Sequence, residues 1–198
     1  MRHDHNIEGR GYGLRPVADG DAAFIVELRT ASPRNQHLNS VRPSVTNQLQ
    51  WLRDYYLRPD DYYFVIEKIS NGRAEGLIGL YNIDPSRLEA EWGRWIVSPP
   101  SLCAVESVVL ILDFAFLRLG LKSVHSRTAA DNSPVVSFHD NCGFRRAADC
   151  PERIFIDGCP RDGVRHECRA EEWAEIRPTL LEKAAKIADR ILRHDSRR

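Results

Sequence analysis

The spacing of apolar residues changes several times along the chain, and each change predicts a different element. Alternating or continuous apolar runs that are rich in β-branched and aromatic residues predict strands. Such runs occur at Tyr12–Val17, Tyr62–Ile69, Gly76–Ile83, Leu88–Val97, Val124–Thr128, Phe144–Ile156 and Val164–Cys168. Asn71-Gly72 separates the second run from the third, and this dipeptide is typical of a tight hairpin turn.

Apolar residues three or four positions apart predict helices between these strands. Asp19 or Asp21 is expected to cap the first helix and Thr46 the second, which Pro59 stops. Three more helices are predicted at Leu102–Leu119, Asn132–Asn141 and Glu171–Arg193. The last has an apolar face made of Trp173, Ile176, Leu180, Ala184, Ile187 and Ile191.

The predicted order is β-α-α-β-β-β-α-β-α-β-β-α. Hairpin-linked strands in the first half and a strand-helix-strand unit in the middle indicate an α/β (α+β) fold. We predict a mixed, mostly antiparallel central sheet of about seven strands flanked by helices, with an extra C-terminal amphipathic helix. Residues 1–11 are polar and glycine-rich and are predicted to form a flexible arm, residues 12–169 the main domain, and residues 170–198 a helical extension.

Charge and cysteine content narrow the classes of function. Lys plus Arg and Asp plus Glu each number 28 among 198 residues, so a neutral chain gives no reason to expect nucleic acid or an anionic membrane as partner. No apolar run approaches the length of a membrane-spanning helix. Five cysteines without a CxxC pair indicate reduced thiols rather than a disulfide framework or a zinc site, so we expect a cytoplasmic protein without a bound metal.

The strand Leu88–Val97 carries carboxylates in its middle. Strict alternation places Glu89, Glu91, Gly93 and Trp95 on one face and Ala90, Trp92, Arg94 and Ile96 on the other. A glutamate here is of chemical interest because a free alkyl amine, with a pKa of about 10, must lose a proton before it can act as a nucleophile. The alternative is that both glutamates lie on the solvated face of an antiparallel strand.

Three segments resemble motifs of the GCN5-related N-acetyltransferases, the GNAT family. They are Ala90-Glu91-Trp92-Gly93-Arg94-Trp95-Ile96, Ser98-Pro99-Pro100-Ser101-Leu102-Cys103-Ala104, and Asp131-Asn132-Ser133-Pro134 through Cys142-Gly143-Phe144. The resemblance covers about residues 12–169, and it is closest to the branch of ribosomal-protein and amino-sugar acetyltransferases. It implies acetyl-coenzyme A (acetyl-CoA) as co-substrate and direct transfer of the acetyl group to an amine.

In this family the first segment bulges and separates from its neighbouring strand, so that the pantetheine arm of the co-substrate enters the gap. The resemblance implies that Glu91 takes the proton from the amine, directly or through a water, and that Ile96 and Val97 contact the arm. A backbone N–H near Val97 would stabilise the negative charge that develops on oxygen during transfer.

The second segment corresponds to the family's pyrophosphate loop, where N–H groups at a helix start hold phosphates. Pro99 stands where the family has Arg or Gln, and Leu102 stands where it has glycine. Neither Pro99 nor Pro100 has a backbone N–H to donate. The amides that remain are those of Ser101, Leu102, Cys103 and Ala104, and we expect weaker pyrophosphate binding. The alternative is an ordinary connecting loop.

The third segment implies further contacts with the co-substrate from Asn132, Val135 and Phe138. His139 stands where the family often has the tyrosine that protonates the departing thiolate. A histidine can donate a proton near neutral pH, so His139 is the candidate acid. The alternative is a buried histidine at the end of a helix.

The loop between the first two helices helps to bind the acceptor in the family, which implies substrate contacts from Arg34, His37 and Asn39. The segment from Trp51 to Trp95 is similar to acetyltransferases that act on nucleotide-linked amino sugars, so we expect a primary amine of a small molecule as acceptor. Ribosomal-protein and antibiotic acceptors stay open. The rival interpretation is a degenerate fold that acts as a non-catalytic binding module, with the C-terminal helix available to a partner or to a second copy in a homodimer.

Overall fold

The computed structural model describes residues 2–31, 36–147 and 152–195. Within these residues nine strands form one sheet in the order β1-β2-β3-β4-β5-β6-β9-β7, and β8 pairs with β9. The strands are β1 (Ile7–Glu8), β2 (Tyr12–Pro16), β3 (Tyr62–Lys68), β4 (Arg73–Asp84), β5 (Glu89–Val97), β6 (Ser123–Ala129), β7 (Arg145–Arg146), β8 (Glu152–Ile156) and β9 (Cys159–Arg169). Only β5 and β6 pair in parallel among them, so the prediction of a mixed, mostly antiparallel sheet flanked by helices is confirmed.

Helices cover both faces of this sheet. They are α1 (Ala22–Thr30), α2 (Val45–Tyr56), α3 (Ala104–Asp113), α4 (Ser133–Asn141) and α5 (Ala170–Asp195), with a 3-10 turn at Asp19–Asp21 and a π-helix at Phe114–Arg118 that continues α3. No helix in the described part of the chain is long and apolar enough to span a membrane. The crossover between the parallel strands β5 and β6 is made by α3, as a parallel pair requires.

Two cores lie on opposite faces of the sheet because the central strand β3 is apolar on both sides. Tyr63 and Val65 pack under α1 and α2, whereas Phe64 and Ile66 pack under α3 and α5. The apolar face of α5 is buried through Trp173, Leu180, Ala184 and Ile191, as its spacing predicts. Asp113 of α3 accepts hydrogen bonds from the Trp173 indole at 3.0 Å and from Arg177 at 2.7 and 2.8 Å, which holds α5 in register. The division at residue 170 into a domain and an extension stays a prediction.

Several boundaries differ from those predicted. Ser44 and not Thr46 caps α2, because the Ser44 hydroxyl accepts the Asn47 N–H at 3.3 Å. Asp21 makes no side-chain cap of α1 itself; its carboxylate accepts the Ala18 N–H at 2.8 Å, which caps the 3-10 turn before α1, and hydrogen bonds from Arg15 at 2.8 and 2.9 Å. The predicted strand Phe144–Ile156 is two separate strands, β7 and β8, and residues 148–151 lie outside the described part.

Residues 2–11, for which the sequence predicted a flexible arm, make specific contacts. β1 pairs with β2, and the ring of His3 packs 4.7 Å from that of Phe64. Burial lowers the pKa of His3 to about 4. The N–H groups of Arg10 and Gly11 donate to Glu106, a carboxylate of α3 that is 6% exposed. These contacts depend on backbone amides, which a polar, glycine-rich sequence does not reveal.

We expect the Glu106 contact to stabilise the fold measurably. Glu106→Ala would leave the buried amides without their acceptor, and each such donor costs about 1–3 kcal/mol. The expected loss in free energy of unfolding is about 2–4 kcal/mol by denaturant titration. Glu106→Gln keeps one acceptor oxygen and should lose less.

The matched control is Glu175→Ala, which removes an exposed carboxylate of α5 and should change stability by less than about 0.5 kcal/mol. Equal stability of Glu106→Ala and this control would show that the contacts of the N-terminal segment with Glu106 do not stabilise the fold.

Candidate active site

A gap opens between the two parallel strands in the middle of the sheet. β5 and β6 are paired at Glu89–Ser123, Ala90–Val124 and Glu91–His125. Beyond Glu91, β5 continues only beside β4, and beyond His125, β6 continues only beside β9. The facing backbone edges of Trp92–Val97 and of residues 126–129 are therefore not paired with each other. An open strand edge offers N–H and C=O groups to an extended ligand.

A bulge in β5 produces this separation. Gly93 pairs with Gly79 and Ile96 with Leu77, so that two residues of β5, Arg94 and Trp95, stand opposite one residue of β4. Arg94 has a backbone φ of 49°, a left-handed conformation that residues other than glycine rarely adopt.

Because of the bulge, Trp95 and Ile96 lie on the faces of the sheet opposite to those predicted. The Trp95 ring lies 6.0 Å from that of Trp92, in the core under α3 and α4, and not on the face of Glu91. Ile96 packs instead in the core under α1 and α2. Strict alternation failed after Gly93 because the extra residue inverts the order of the faces.

The strained residue is held by its own side chain. The Arg94 guanidinium forms two hydrogen bonds with Asp61, at 2.6 and 2.9 Å, and lies 4.2 Å from the centroid of the Tyr81 ring. The Tyr81 hydroxyl in turn occupies the space over Gly93, where an added Cβ would lie 2.5 Å from it. The bulge is therefore fixed by an ion pair and a cation–π contact, and a side chain at position 93 would have to displace the Tyr81 hydroxyl.

Glu91, the predicted base, is 5% exposed and fully engaged. Its carboxylate accepts hydrogen bonds from Tyr81 at 3.2 Å, from Asn82 at 3.0 Å and from two nitrogens of Arg127 at 3.1 and 2.8 Å. A carboxylate has about four lone-pair sites, and these four donors occupy them. A group without a free lone pair is poorly placed to take a proton, so the geometry argues against the predicted role.

The sequence did not reveal which charged residues lie beside Glu91. His125 and Arg127 project from β6 onto the same face, opposite Glu89 and Glu91, and the His125 Nδ1 lies 3.0 Å from Glu89. Burial is the main cause that lowers the pKa of His125. Arg127 also lies 3.7 Å from Glu152 of β8, a carboxylate that keeps one-fifth of its side chain exposed. His125 and Arg127 are two residues apart on β6, so the sequence does place two basic side chains on one face of this strand. It does not show that β5, with its glutamates, is the neighbouring strand.

His139, the predicted acid, is buried among aromatic rings. It lies 4.9 Å from Trp92 and 5.0 Å from His166 between ring centroids, and it is 2% exposed. Burial, with a smaller contribution from His166, lowers its pKa to about 3, so the ring is neutral at pH 7. The structure therefore argues against a protonated His139 as the acid. Its Nδ1 lies 3.3 Å from the Ser126 hydroxyl, whereas its Nε2 has no hydrogen-bond partner within the described residues.

The predicted pyrophosphate loop uses most of its amides internally. The Ser101 N–H donates to the Ser98 carbonyl at 2.8 Å, and the Cys103 N–H donates to the Ser101 hydroxyl at 3.2 Å. The Leu102 N–H donates to the Tyr12 hydroxyl at 3.4 Å, while the Leu102 side chain is 53% exposed. Ala104 begins α3, and the first N–H to bond along the helix is that of Ser107.

The third segment lies beside the bulge in β5. Asn132 precedes α4, and its carbonyl accepts the N–H groups of Val135 and Val136 at 3.1 and 3.0 Å. The Phe138 ring lies 4.9 Å from that of Trp95, so α4 packs against the point where β5 leaves β6. Contact of these residues with a ligand stays a prediction.

Residues 37–40, which precede α2, contact two turns at the other end of the sheet. His37 Nδ1 lies 3.2 Å from Asp131, in the turn before α4. Asn39 accepts the Asp157 N–H at 2.8 Å, and Ser40 donates to the Asp157 carboxylate at 2.7 and 3.0 Å. Arg34, the third predicted substrate contact, lies outside the described residues. Residues 37–40 are thus tied to the turn before α4 and to the β8–β9 turn.

A model of the acetyltransferase (GNAT) domain matches residues 12–145. The match covers well over half of the chain, which therefore belongs to the GNAT family and is an N-acetyltransferase by that membership. An SPbeta prophage-derived uncharacterized N-acetyltransferase, YokL of Bacillus subtilis (strain 168), is 24% identical over 169 residues, which cover 83% of this chain and 93% of the relative.

Solved structures share the fold. The apo form of FdhC, a nucleotide-linked sugar GNAT, has a TM-score of 0.76 at 24% identity and covers 89% of this chain and 97% of its own. A GCN5-related N-acetyltransferase from Brucella melitensis reaches 0.78 at 22% identity, with 90% and 85% covered. A mutant of the spermidine N-acetyltransferase SpeG from Vibrio cholerae reaches 0.71 at 22% identity, with 84% and 98% covered.

The buried histidine predicts an acid-sensitive fold. The pKa of His139 is about 3 in the folded state and about 6.5 when the chain is unfolded, so between these values only the unfolded chain binds the proton. His139 should therefore contribute a loss of stability as the pH drops below about 6.5, of roughly 2 kcal/mol from pH 7.5 to pH 5.0, in addition to the losses from His3, His125 and His166, whose pKa values are also lowered. His139→Phe should remove this contribution of roughly 2 kcal/mol in denaturant titrations at the two pH values.

His37→Asn, which removes a histidine outside the aromatic cluster, is the control and should keep the pH dependence of the wild type. The same acid sensitivity in His139→Phe would mean that the buried ring is not its cause.

Proposed function

We propose that this chain transfers an acetyl group from acetyl-CoA directly to a primary amine of a small molecule. The observation that supports this most strongly is the gap beside the β5 bulge, because a pantetheine arm is an extended chain with amide groups that match an open strand edge. Acetyl-CoA, when bound, supplies the activated acetyl group. Ile96 and Val97 on β5 and Asn132, Val135 and Phe138 around α4 are the residues proposed to contact it.

The proton of the amine needs an acceptor other than Glu91. Glu152 is the better candidate, because its carboxylate is partly exposed, faces the same side of the sheet, and touches Arg127 only at 3.7 Å. Glu91 then acts as a positioning residue that holds Arg127 beside the gap. A backbone N–H near Val97 is proposed to stabilise the negative charge on oxygen. The neutral His139 would offer a hydrogen bond from its unpartnered Nε2 rather than a proton.

A nucleotide-linked amino sugar is the proposed acceptor. The structural neighbour FdhC carries that description, and the β8–β9 hairpin presents two exposed basic side chains, Arg153 and Arg161, that suit phosphate groups. Arg161 lies 3.5 Å from Asp131 and Arg153 lies 4.0 Å from Asp162, so a phosphate would compete with two exposed ion pairs, which are weak. Spermidine, the substrate named for SpeG, serves as the contrasting acceptor.

An acceptor panel tests this proposal. Purified protein with acetyl-CoA is offered a nucleotide-linked amino sugar, the same amino sugar without the nucleotide, and spermidine. Thiol release and product mass are measured. We expect the highest kcat/KM for the nucleotide-linked amine, because the hairpin arginines contact its phosphates.

Arg153→Ala with Arg161→Ala should remove that preference and leave the free amino sugar unaffected. Faster transfer to spermidine would reject the acceptor class but keep the reaction. No thiol release above background from folded protein would reject the reaction itself.

Substitutions of the two glutamates separate the proton acceptor from the positioning residue. Glu152→Gln should lower kcat/KM by roughly 100-fold, a typical loss of a general base, with stability nearly unchanged. Glu91→Gln should destabilise the fold by about 2 kcal/mol, because it breaks a buried ion pair.

Glu152→Asp should recover part of the rate and of the pH profile, which a purely structural residue would not do. A stable but inactive Glu91→Gln, together with a fully active Glu152→Gln, would return the role of base to Glu91.

The non-catalytic module is the second candidate, and the internally bonded loop favours it. This interpretation predicts that folded protein binds neither coenzyme A nor its thioester at millimolar concentration in calorimetry. Family membership and the open edge of β5 favour the enzyme.

A further inference from the structure

The segment that should receive the pyrophosphate is already organised around a tyrosine. Tyr12 is 2% exposed, and its hydroxyl lies within hydrogen-bond distance of three groups: Glu75 at 3.0 Å, the Ser101 hydroxyl at 3.4 Å and the Leu102 N–H at 3.4 Å. Tyr12 donates to the Glu75 carboxylate and accepts from the other two. Burial raises the pKa of Tyr12 to about 12, so the hydroxyl keeps its proton at neutral pH.

We name these groups the Tyr12 clamp: the side chains of Tyr12, Glu75 and Ser101 with the Leu102 amide. The clamp gives the loop the acceptors that phosphate oxygens would otherwise provide. The Cys103 N–H donates a hydrogen bond to the Ser101 hydroxyl, which is itself part of the clamp. The prolines at 99 and 100 add no donor.

Glu75 adds a charge of the wrong sign for phosphate. It is the extra residue in a bulge of β4, since Ile66 pairs with Gly76 and Glu67 with Ala74. Its carbonyl accepts the Ser98 N–H at 2.8 Å, so Glu75 is tied to the first residue of the loop through its backbone and to Tyr12 through its side chain. A pyrophosphate in the loop would lie close to this carboxylate and be repelled by it.

The backbone beside the gap is organised differently. The facing edges of β5 and β6 are unpaired with each other, and the bulge that separates them is fixed by Arg94 and Asp61. The thioester half of a donor thus meets a fixed, open edge. The nucleotide half meets a loop in which the N–H groups of Ser101, Leu102 and Cys103 are already bonded, so that the open donors are those of residues 104–106 at the start of α3.

We propose that this chain recognises its thioester donor through the acyl-pantetheine arm and that the Tyr12 clamp suppresses recognition of the pyrophosphate. This inference rests on the proposed function and specifies the donor class: acyl-pantetheine thioesters, whatever group follows the arm. Forming the pyrophosphate contacts requires the clamp to open, so the nucleotide half of coenzyme A contributes little net affinity.

Calorimetry with coenzyme A and with pantetheine tests the proposal without turnover. In the wild type the two dissociation constants should agree within roughly tenfold. Tyr12→Phe frees the Leu102 N–H and the Ser101 hydroxyl, and should tighten coenzyme A binding by roughly tenfold, the scale of one hydrogen bond to a charged group. Glu75→Gln removes the repulsion and should act in the same direction. Neither variant should change pantetheine binding.

Two controls accompany these variants. Tyr62→Phe removes the hydroxyl of another largely buried tyrosine, and Glu175→Gln neutralises an exposed carboxylate of α5; both should keep the wild-type ratio of affinities. Thermal unfolding of each variant shows whether it is folded.

The turnover arm compares kcat/KM for acetyl-CoA and acetyl-pantetheine, which should differ by less than roughly tenfold. Wild-type protein that binds coenzyme A 100-fold more tightly than pantetheine, with no gain in either clamp variant, would overturn the inference and leave the proposed function standing. Binding of neither compound to folded protein would overturn both.

Discussion

The site depends on the way in which β5 is held to β6 at one point and forced away from it at the next. Glu91 stands at the last paired position and binds Arg127 of β6 through two hydrogen bonds. Three residues later, Arg94 adopts a left-handed conformation and the strand shifts by one residue against β4. Without the first contact the two strands would have no fixed starting point for their separation; without the second they would continue as an ordinary parallel pair.

Both contacts use buried charge, which adds little net stability because desolvation offsets most of the attraction. Their value is in specifying geometry. The Arg94–Asp61 pair lies under α1 and α2, whereas Trp95 and His139 pack on the opposite face under α4. The bulge is therefore fixed from both sides of the sheet, and an edge fixed in this way loses little entropy when a ligand pairs with it.

The sequence predicted the elements of the fold well and the surroundings of single side chains poorly. Periodicity located the hairpin at Asn71-Gly72 and the buried face of α5, because these are local patterns. It could not show that Arg127 lies beside Glu91, since strand pairing is non-local, nor that an extra residue at Arg94 would move Trp95 to the other face. The alternative of a buried histidine at the end of a helix describes the observed surroundings of His139, but the motif alone did not decide between the two interpretations. The gap itself was expected only through resemblance to the family.

The altered loop and the intact gap are best understood together. In a loop that binds pyrophosphate, free amides are a cost to the unbound protein, because buried or half-buried N–H groups need acceptors. Here Tyr12 and Ser101 supply acceptors within the chain, so the Leu102 and Cys103 amides are satisfied without a ligand. The facing edges of β5 and β6 differ, because their backbone groups have no partners across the gap and the backbone is held in place by ion pairs. In the proposed recognition of the donor, affinity therefore comes mainly from the groups that line the gap, and the loop adds only the open N–H groups of residues 104–106.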